Sequence, residues 1–332
     1  MIHWILRPLT QADALCAAGW QYAAPYAVYN NPICEPVSQY GALCDEQGKL
    51  GGFFCTGQPA RMRAAETLYA QRKNALDIRL VLHPQFIGKG VALHALERIL
   101  TLLQREKAPD FFRITLHDWD AQALRVCRGT GFSMAAACEG LYVLERDERP
   151  FLEASVPLTE STEVYPGDPK VVKSFYLRKE DSGFDALHIA MGVHTGTHMD
   201  APAHIGLPIG IESVTYQQCN GLVQLINFQS LCKESIQMER ILIANAPRSL
   251  TPAEASMLCQ CVTFVGIDRF SVGDPPYERE THRILLEAGI IILENARLQG
   301  FAEGFYEMRC MPLYIPGSDG SPVRLLLRKE AQ

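Results

Sequence analysis

Residues 194–204 read His-Thr-Gly-Thr-His-Met-Asp-Ala-Pro-Ala-His. Three histidines and one aspartate stand within eleven residues, spaced by glycine, threonine, alanine and proline. Small residues let a backbone turn tightly, and Pro202 bars a regular helix. The segment is therefore expected to be a loop that aims several donors at one point. Imidazole nitrogen and carboxylate oxygen are the donors favoured by Zn²⁺ or Mn²⁺. A polar surface loop that is merely histidine-rich is the simpler alternative.

Working outward, Ala186–Val193 reads as the strand that delivers this loop, after a strand at Phe175–Arg178. The run Tyr165-Pro166-Gly167-Asp168-Pro169 is a turn. Further strands are expected at Leu222–Phe228, Ile241–Ala244, Val262–Ile267, Ile290–Leu293, Met308–Ile315 and Val323–Leu327. Helices are expected from Pro252 through Leu258, capped by Thr251, and over Tyr277–Glu287. Glu294 closes a run of four apolar residues. A carboxylate at the end of a buried strand needs a partner, either a metal ion or an arginine such as Arg297. His282, on the preceding helix, is a second candidate to join the loop.

This half resembles the metal-dependent cyclase family, which includes kynurenine formamidases and isatin hydrolases. The signature His-x-Gly-Thr-His-x-Asp-x-Pro-x-His is met by His194, Gly196, Thr197, His198, Asp200, Pro202 and His204. A later His followed twelve residues on by Glu is met by His282 and Leu293-Glu294-Asn295. The Pro-Gly-Asp turn, Gly266-Ile267-Asp268 and Gly320-Ser321-Pro322-Val323-Arg324 also fit. The resemblance implies a swivelling β/β/α fold, usually in dimers or tetramers. It implies that His194, His198 and Asp200 bind one Zn²⁺ or Mn²⁺, that Asp200 and Glu294 bridge to a second ion held by His282, and that His204 transfers the proton. Tyr165 falls where formamidases often carry a tryptophan against the substrate.

The first half carries a second anion-seeking feature. Strand Ala75–Leu82 is followed by Gln85-Phe86-Ile87-Gly88-Lys89-Gly90-Val91-Ala92 and an amphipathic helix to about Glu106. Glycines before a helix N-terminus leave backbone N–H groups free for a pyrophosphate, although a lone Gly-x-Gly is often only a turn. Around it are an expected strand at Ile2–Leu6, a helix from Thr10 to Trp20 with Asp13 completing a capping box, an irregular stretch at 21–36, and a hairpin of strands 40–45 and 50–56. A strand at Phe111–Leu116, a helix at Ala121–Arg128 and a strand opened by Gly131-Phe132 complete the half.

Residues 1–149 resemble the GNAT acetyltransferases. Gln85, Gly88 and Gly90 meet the acetyl-CoA signature, Asp77–Leu82 matches the strand that splays to admit the pantetheine arm, and Ala123–Phe132 matches the closing helix and its Gly-Phe pair. The resemblance implies a mixed sheet with flanking helices and acetyl-CoA bound on the amides of residues 87 to 92: Ile87, Gly88, Lys89, Gly90, Val91 and Ala92. The tyrosine that often protonates the leaving thiolate is replaced by Cys127. Asp77 lies where such enzymes often place a base.

The charge run Glu145–Arg149, ended by Pro150, marks a boundary between domains 1–149 and 150–332 in an α/β chain. A net charge of −6 argues against a nucleic-acid partner. No apolar run reaches membrane length, and the N-terminus is too soon interrupted for a signal peptide. The eleven cysteines include no Cys-x2-Cys pair, as expected of free thiols in a cytoplasmic protein. The expectation is a fusion of a metal-dependent hydrolase of a small aromatic amide, formamide or lactam with an acetyl-CoA-dependent acyltransferase. A first domain that only binds CoA or mediates assembly is the alternative, and a purely structural metal ranks behind both.

Overall fold

The computed structural model describes residues 3–30, 37–69 and 74–330. Ile2, residues 31–36 of the expected irregular stretch, and Cys34 lie outside these. The chain divides into two compact units, Met1–Arg149 and Pro150–Gln332.

The first unit holds β1 (Ile5–Pro8), α1 (Gln11–Ala18), β2 (Tyr40–Cys44), β3 (Leu50–Thr56), β4 (Ala75–Leu82), α2 (Val91–Lys107), β5 (Phe111–His117), α3 (Ala121–Gly129), β6 (Ser133–Cys138) and β7 (Leu141–Asp147). Its seven strands run in the order β1-β2-β3-β4-β5-β7-β6. Only β4 and β5 are parallel, and they pair only through Ala75–Asp77 and Phe111–Arg113. Beyond Asp77, β4 stays with β3 and parts from β5. α2 turns Ala95, Leu96, Ile99, Leu100 and Leu103 into a core with Ile78, Phe112 and Leu144, which is the 3.6-residue periodicity of its sequence. The charge run begins inside β7: Glu145 lies opposite Arg113 in register and 3.7 Å from its guanidinium.

α1 starts as its sequence predicts. Thr10 Oγ1 accepts the Asp13 N–H, and Asp13 accepts the Thr10 N–H, closing a capping box. Arg7 adds two hydrogen bonds of 2.6 and 2.9 Å to the same carboxylate.

The second unit holds β8 (Leu152–Glu153), β9 (Val172–Leu177), α4 (Lys179–Ser182), β10 (Ala186–Ala190), β11 (His198–Asp200), α5 (Tyr216–Cys219), β12 (Gly221–Asn227), β13 (Arg240–Ala244), α6 (Pro252–Leu258), β14 (Phe264–Ile267), α7 (Glu278–Glu287), β15 (Ile291–Glu294), β16 (Gly304–Arg309), β17 (Gly320–Pro322) and β18 (Leu326–Lys329). Nine strands form one sheet, β17-β11-β15-β14-β13-β12-β16-β18-β8, with β12 to β15 parallel at its centre. β9 and β10 pair separately as a hairpin. Met199 of β11 shares one core with Met308 of β16 and Leu327 of β18, from the opposite end of the strand order. The sheet therefore curls. Its other face, with Ile241, Ile243, Val265 and Ile292, is covered by Leu258 of α6 and Leu285 and Leu286 of α7.

Several boundaries differ from expectation: the strand expected at Ala186–Val193 ends at Ala190, and the one expected at Val262–Ile267 begins at Phe264. The strand expected at Met308–Ile315 ends at Arg309, because Pro312 cannot donate to a ladder and makes only an isolated bridge with Val323. The strand expected at Val323–Leu327 begins only at Leu326 and runs to Lys329, pairing with β16, while a separate short strand just before the expected range, β17, pairs with β11. No disulfide joins two of the described cysteines. No described helix is long and apolar enough to cross a membrane.

Asp13 carries the clearest acid-sensitive contact. The Arg7 hydrogen bonds outweigh burial and, with those from Thr10, hold its carboxyl far below the usual carboxylate range. A depressed pKa contributes stability above the unfolded value and loses it as pH falls. Asp13→Asn is expected to cost the first unit about 1 kcal/mol near neutrality. The difference from the parent should shrink below about pH 4, as read by denaturant melts at several pH values.

Candidate metal centre

The register of β11 on β15 builds the centre. Side chains alternate along a strand, so Met199 enters the curled core while His198 and Asp200 face the helix layer. On β15, Leu293 likewise enters that core, and Glu294 shares the opposite face with Ile292. His198 stands opposite Glu294, and Asp200 opposite Ile292. α7 packs on β15 and on the turn Pro202–Ile205, bringing His282 from one side and His204 from the other. The expected loop is thus partly strand: its middle three residues are pinned in the sheet, and only its ends turn.

Five side chains expected as ligands meet here. His194 Nδ1 lies 2.9 Å from Asp200 Oδ1. His198 Nε2 lies 3.5 Å from the same oxygen and 3.3 Å from Glu294 Oε2. His282 Nε2 lies 3.1 Å from Glu294 Oε1 and 3.5 Å from Asp200 Oδ2. The outer nitrogens of two imidazoles are spoken for. His198 Nδ1 donates to the Gly196 carbonyl at 2.9 Å, and His282 Nδ1 donates to the Glu278 carbonyl at 2.8 Å. Those bonds turn both Nε2 atoms inward. Arg297, the other partner considered for Glu294, turns instead to the Glu153 carbonyl.

Asp200 and Glu294 are buried side by side. Burial and the charge of Asp200 both push Glu294 up, yet the bonds from His198 and His282 hold it low. Burial likewise opposes charge on Asp200, but His194 and His282 keep it ionised. The reciprocal effect lifts the imidazoles. Burial disfavours their cations, but Asp200 and Asp319 raise His194 to about 9, and Asp200 and Glu294 raise His282 to about 11. Two adjacent buried carboxylates therefore hold two positive charges in place, and a divalent cation satisfies the same demand by displacing protons. Asp200 Oδ2 fits that exchange, being buried without a hydrogen-bond partner. Nitrogen and oxygen donors without thiolate fit Zn²⁺ or Mn²⁺.

His204 differs from the other five residues of the cluster. It is exposed, its ring lies 4.4 Å from that of His194 and 5.4 Å from that of His282, and its Nδ1 is 3.5 Å from Asp319 Oδ2. Asp319 also takes His194 Nε2 at 3.1 Å. The sequence reading missed Asp319, because nothing distinguishes it from any other turn aspartate in Gly317-Ser318-Asp319-Gly320. Gly320 was legible only as part of a family pattern. Its role is spatial: a Cβ there would lie 2.6 Å from His194 Cε1 and 2.9 Å from the Met199 carbonyl. Tyr165 is half-buried, and its hydroxyl donates to Glu278 on α7 at 3.0 Å. Burial and that carboxylate raise the phenol to about 12.

In the first unit, the gap between β4 and β5 is a cavity of about 340 Å³. Ile87, Gly88, Gly90 and Ala92 line it. Val91 instead packs on the core, and Gln85 and Lys89 are exposed. Gly88 and Gly90 both adopt positive φ, at 75° and 73°, and Gly90 leaves the first turn of α2 without a side-chain cap. Cys127 also lines the cavity, and burial pushes its thiol up to about 12. The reading of Asp77 as a base is corrected. Its carboxylate is buried and taken by Arg113 at 2.6 and 3.1 Å and by Arg61 at 2.7 Å. It neutralises a guanidinium that is itself 2% exposed, so it is a structural charge.

Residues 152–292 match the Cyclase family model. A kynurenine formamidase of Bacillus cereus is 30% identical over 203 residues, spanning 54% of this chain and 97% of that protein. A solved structure described as a predicted metal-dependent hydrolase from Bacillus stearothermophilus is 27% identical, with a TM-score of 0.46 over 54% of this chain and 97% of its own. A GNAT-family acetyltransferase from Bacillus anthracis is 12% identical, with a TM-score of 0.35 over 45% of this chain and 97% of its own.

Gly320→Ala tests the geometry. Neither the Met199 carbonyl nor the paired strand can retreat, so His194 must move. Metal affinity is expected to fall by about tenfold or more, measured by competition with a chromogenic chelator.

Proposed function

The chain belongs to the cyclase family, and on that footing we propose that its second unit is a metal-dependent hydrolase of a small aromatic amide, formamide or lactam. One observation carries the reading: four imidazoles and two buried carboxylates converge at one face of the sheet, and His204 is the most exposed of the four imidazoles. His194, His198, Asp200, His282 and Glu294 would hold the ion or ions. A divalent ion there supplies Lewis acidity toward a carbonyl oxygen and makes water more acidic. His204 takes the proton from the attacking water and returns it to the leaving nitrogen. Asp319 orients that imidazole. Tyr165, tethered to α7 through Glu278, offers a flat ring to an aromatic substrate beside His282. No serine or cysteine nucleophile is required.

His204→Ala should lower hydrolysis of an N-formyl arylamine by at least about a hundredfold while metal content, read by elemental analysis, stays at the parental level. A metal-free parent that hydrolyses at full rate would overturn the proposal.

For the first unit, the parted strands and the uncapped N-terminus of α2 support an acetyl-CoA-dependent N-acyltransferase. The backbone edge of β4 left open by β5 can hydrogen-bond an amide-bearing pantetheine arm. The uncapped N–H groups of the first turn of α2, after Gly90, can receive a pyrophosphate. Cys127, deeply buried with a raised pKa, is a poor proton donor, which leaves a CoA-binding module as the second reading. Acetyl-CoA is expected to raise the melting temperature of the protein. Gly88→Glu, which places a carboxylate at the anion site on a backbone of positive φ, should remove that rise.

A further inference from the structure

The cavity of the first unit has a second wall that the acetyl-CoA reading leaves unused. Tyr26 and Tyr29, on a short turn before β2, line it with Arg79 of β4 and with Asp120. The two tyrosine rings stack at 6.4 Å between centroids. Trp119 extends the face, with centroids 5.6 Å from Tyr26 and 6.4 Å from Tyr29. The Tyr29 hydroxyl donates to Asp120 Oδ2 at 3.2 Å. Asp120 is 5% exposed, and its other oxygen caps α3 by accepting the Ala123 N–H at 2.9 Å. Arg79 gives one nitrogen to the Arg61 carbonyl, while its Nε is buried without a partner. Cys127, where related enzymes carry a tyrosine, lines the same cavity.

An aromatic face, one buried carboxylate bridged by a phenol, and one guanidinium with a spare donor define a ligand class. The face takes a flat ring. The carboxylate takes a proton. The guanidinium takes an anion. We propose that this wall is the acyl-acceptor site of the first unit, that its acceptor is a small aromatic primary amine bearing a carboxylate, and that Tyr29 and Asp120 relay the amine's proton. This rests on the acetyl-CoA reading given above.

In the reaction, the amine nitrogen attacks the thioester carbonyl carbon of acetyl-CoA. A C–N bond forms and the C–S bond breaks. The proton lost by nitrogen passes through the Tyr29 hydroxyl to Asp120, the sulfur recovers a proton from solvent, and the products are an arylamide and CoA thiol. Burial and the charge of Asp120 raise the Tyr29 pKa, which keeps that hydroxyl protonated and available as a relay.

The test uses the full-length protein with 2-aminobenzoate, aniline and butylamine as acceptors, reading acetylated product by mass. Acetyl-CoA binding is measured in parallel by thermal shift. 2-Aminobenzoate is expected to exceed aniline and butylamine in kcat/KM by about tenfold or more. Tyr29→Phe and Asp120→Asn should each lower kcat by roughly a hundredfold. Both leave the acetyl-CoA shift in place, because phenylalanine keeps the ring and asparagine is itself a good helix cap. Arg79→Gln should raise KM for 2-aminobenzoate and not for aniline. If the protein binds acetyl-CoA but prefers butylamine, acetylates none of the three, or is unchanged by both relay variants, the acceptor site is refuted. If acetyl-CoA does not bind at all, the reading beneath it fails and the acceptor site falls with it. Should either variant not fold, the other variant and the parent's preference among the three amines decide.

Discussion

Two carboxylates buried beside each other dominate the second unit. Asp200 and Glu294 stand on neighbouring strands with almost no access to water. Like charges at that separation raise one another's pKa, and burial adds to the cost. The fold answers with imidazoles on every accessible side: His194 from the chain before β11, His198 in the strand itself, and His282 from α7. Such a cluster is expensive as a set of protonated pairs and natural as a cage for a dication. The fixed Nδ1 hydrogen bonds of His198 and His282, and the missing Cβ at Gly320, are the second layer that this requirement imposes.

Strand register turns that requirement into geometry. A shift of one residue between β11 and β15 would send His198, Asp200 and Glu294 into the curled apolar core and Met199 and Leu293 toward α7. The hydrophobic cost of that exchange holds the polar residues where they are. The curled sheet and the candidate metal-binding face are therefore one structural decision, made by alternation along two short strands.

The first unit shows the opposite use of a sheet. There the partial pairing of β4 with β5 opens a cavity by leaving backbone unpaired. The ion network of Asp77, Arg113, Arg61 and Glu145 closes the paired end of that gap and so limits how far it opens. Asp77 resembles a catalytic base by its place in the chain, and only its neighbours reveal it as a clamp. The polar groups that remain free to act, Tyr29, Asp120 and Arg79, come from three separate segments.

By itself the sequence determined the helix starts at Thr10 and Thr251 and the hairpin of β2 and β3, and it singled out the histidine-rich stretch as the candidate metal centre. Each of these depends on local chemistry, such as capping side chains, apolar periodicity and donor spacing. His282 and Glu294 were legible at a distance only through a family pattern, since a lone helix histidine and a lone strand-end glutamate carry no signal of their own. Tertiary structure decided the rest. It gave Asp319 a role that no turn aspartate announces, took Asp77 out of the chemistry, and brought Tyr29 to Asp120 across ninety-one residues. Those outcomes depend on which surfaces meet when strands pair and helices pack, and that information is carried by no single stretch of chain.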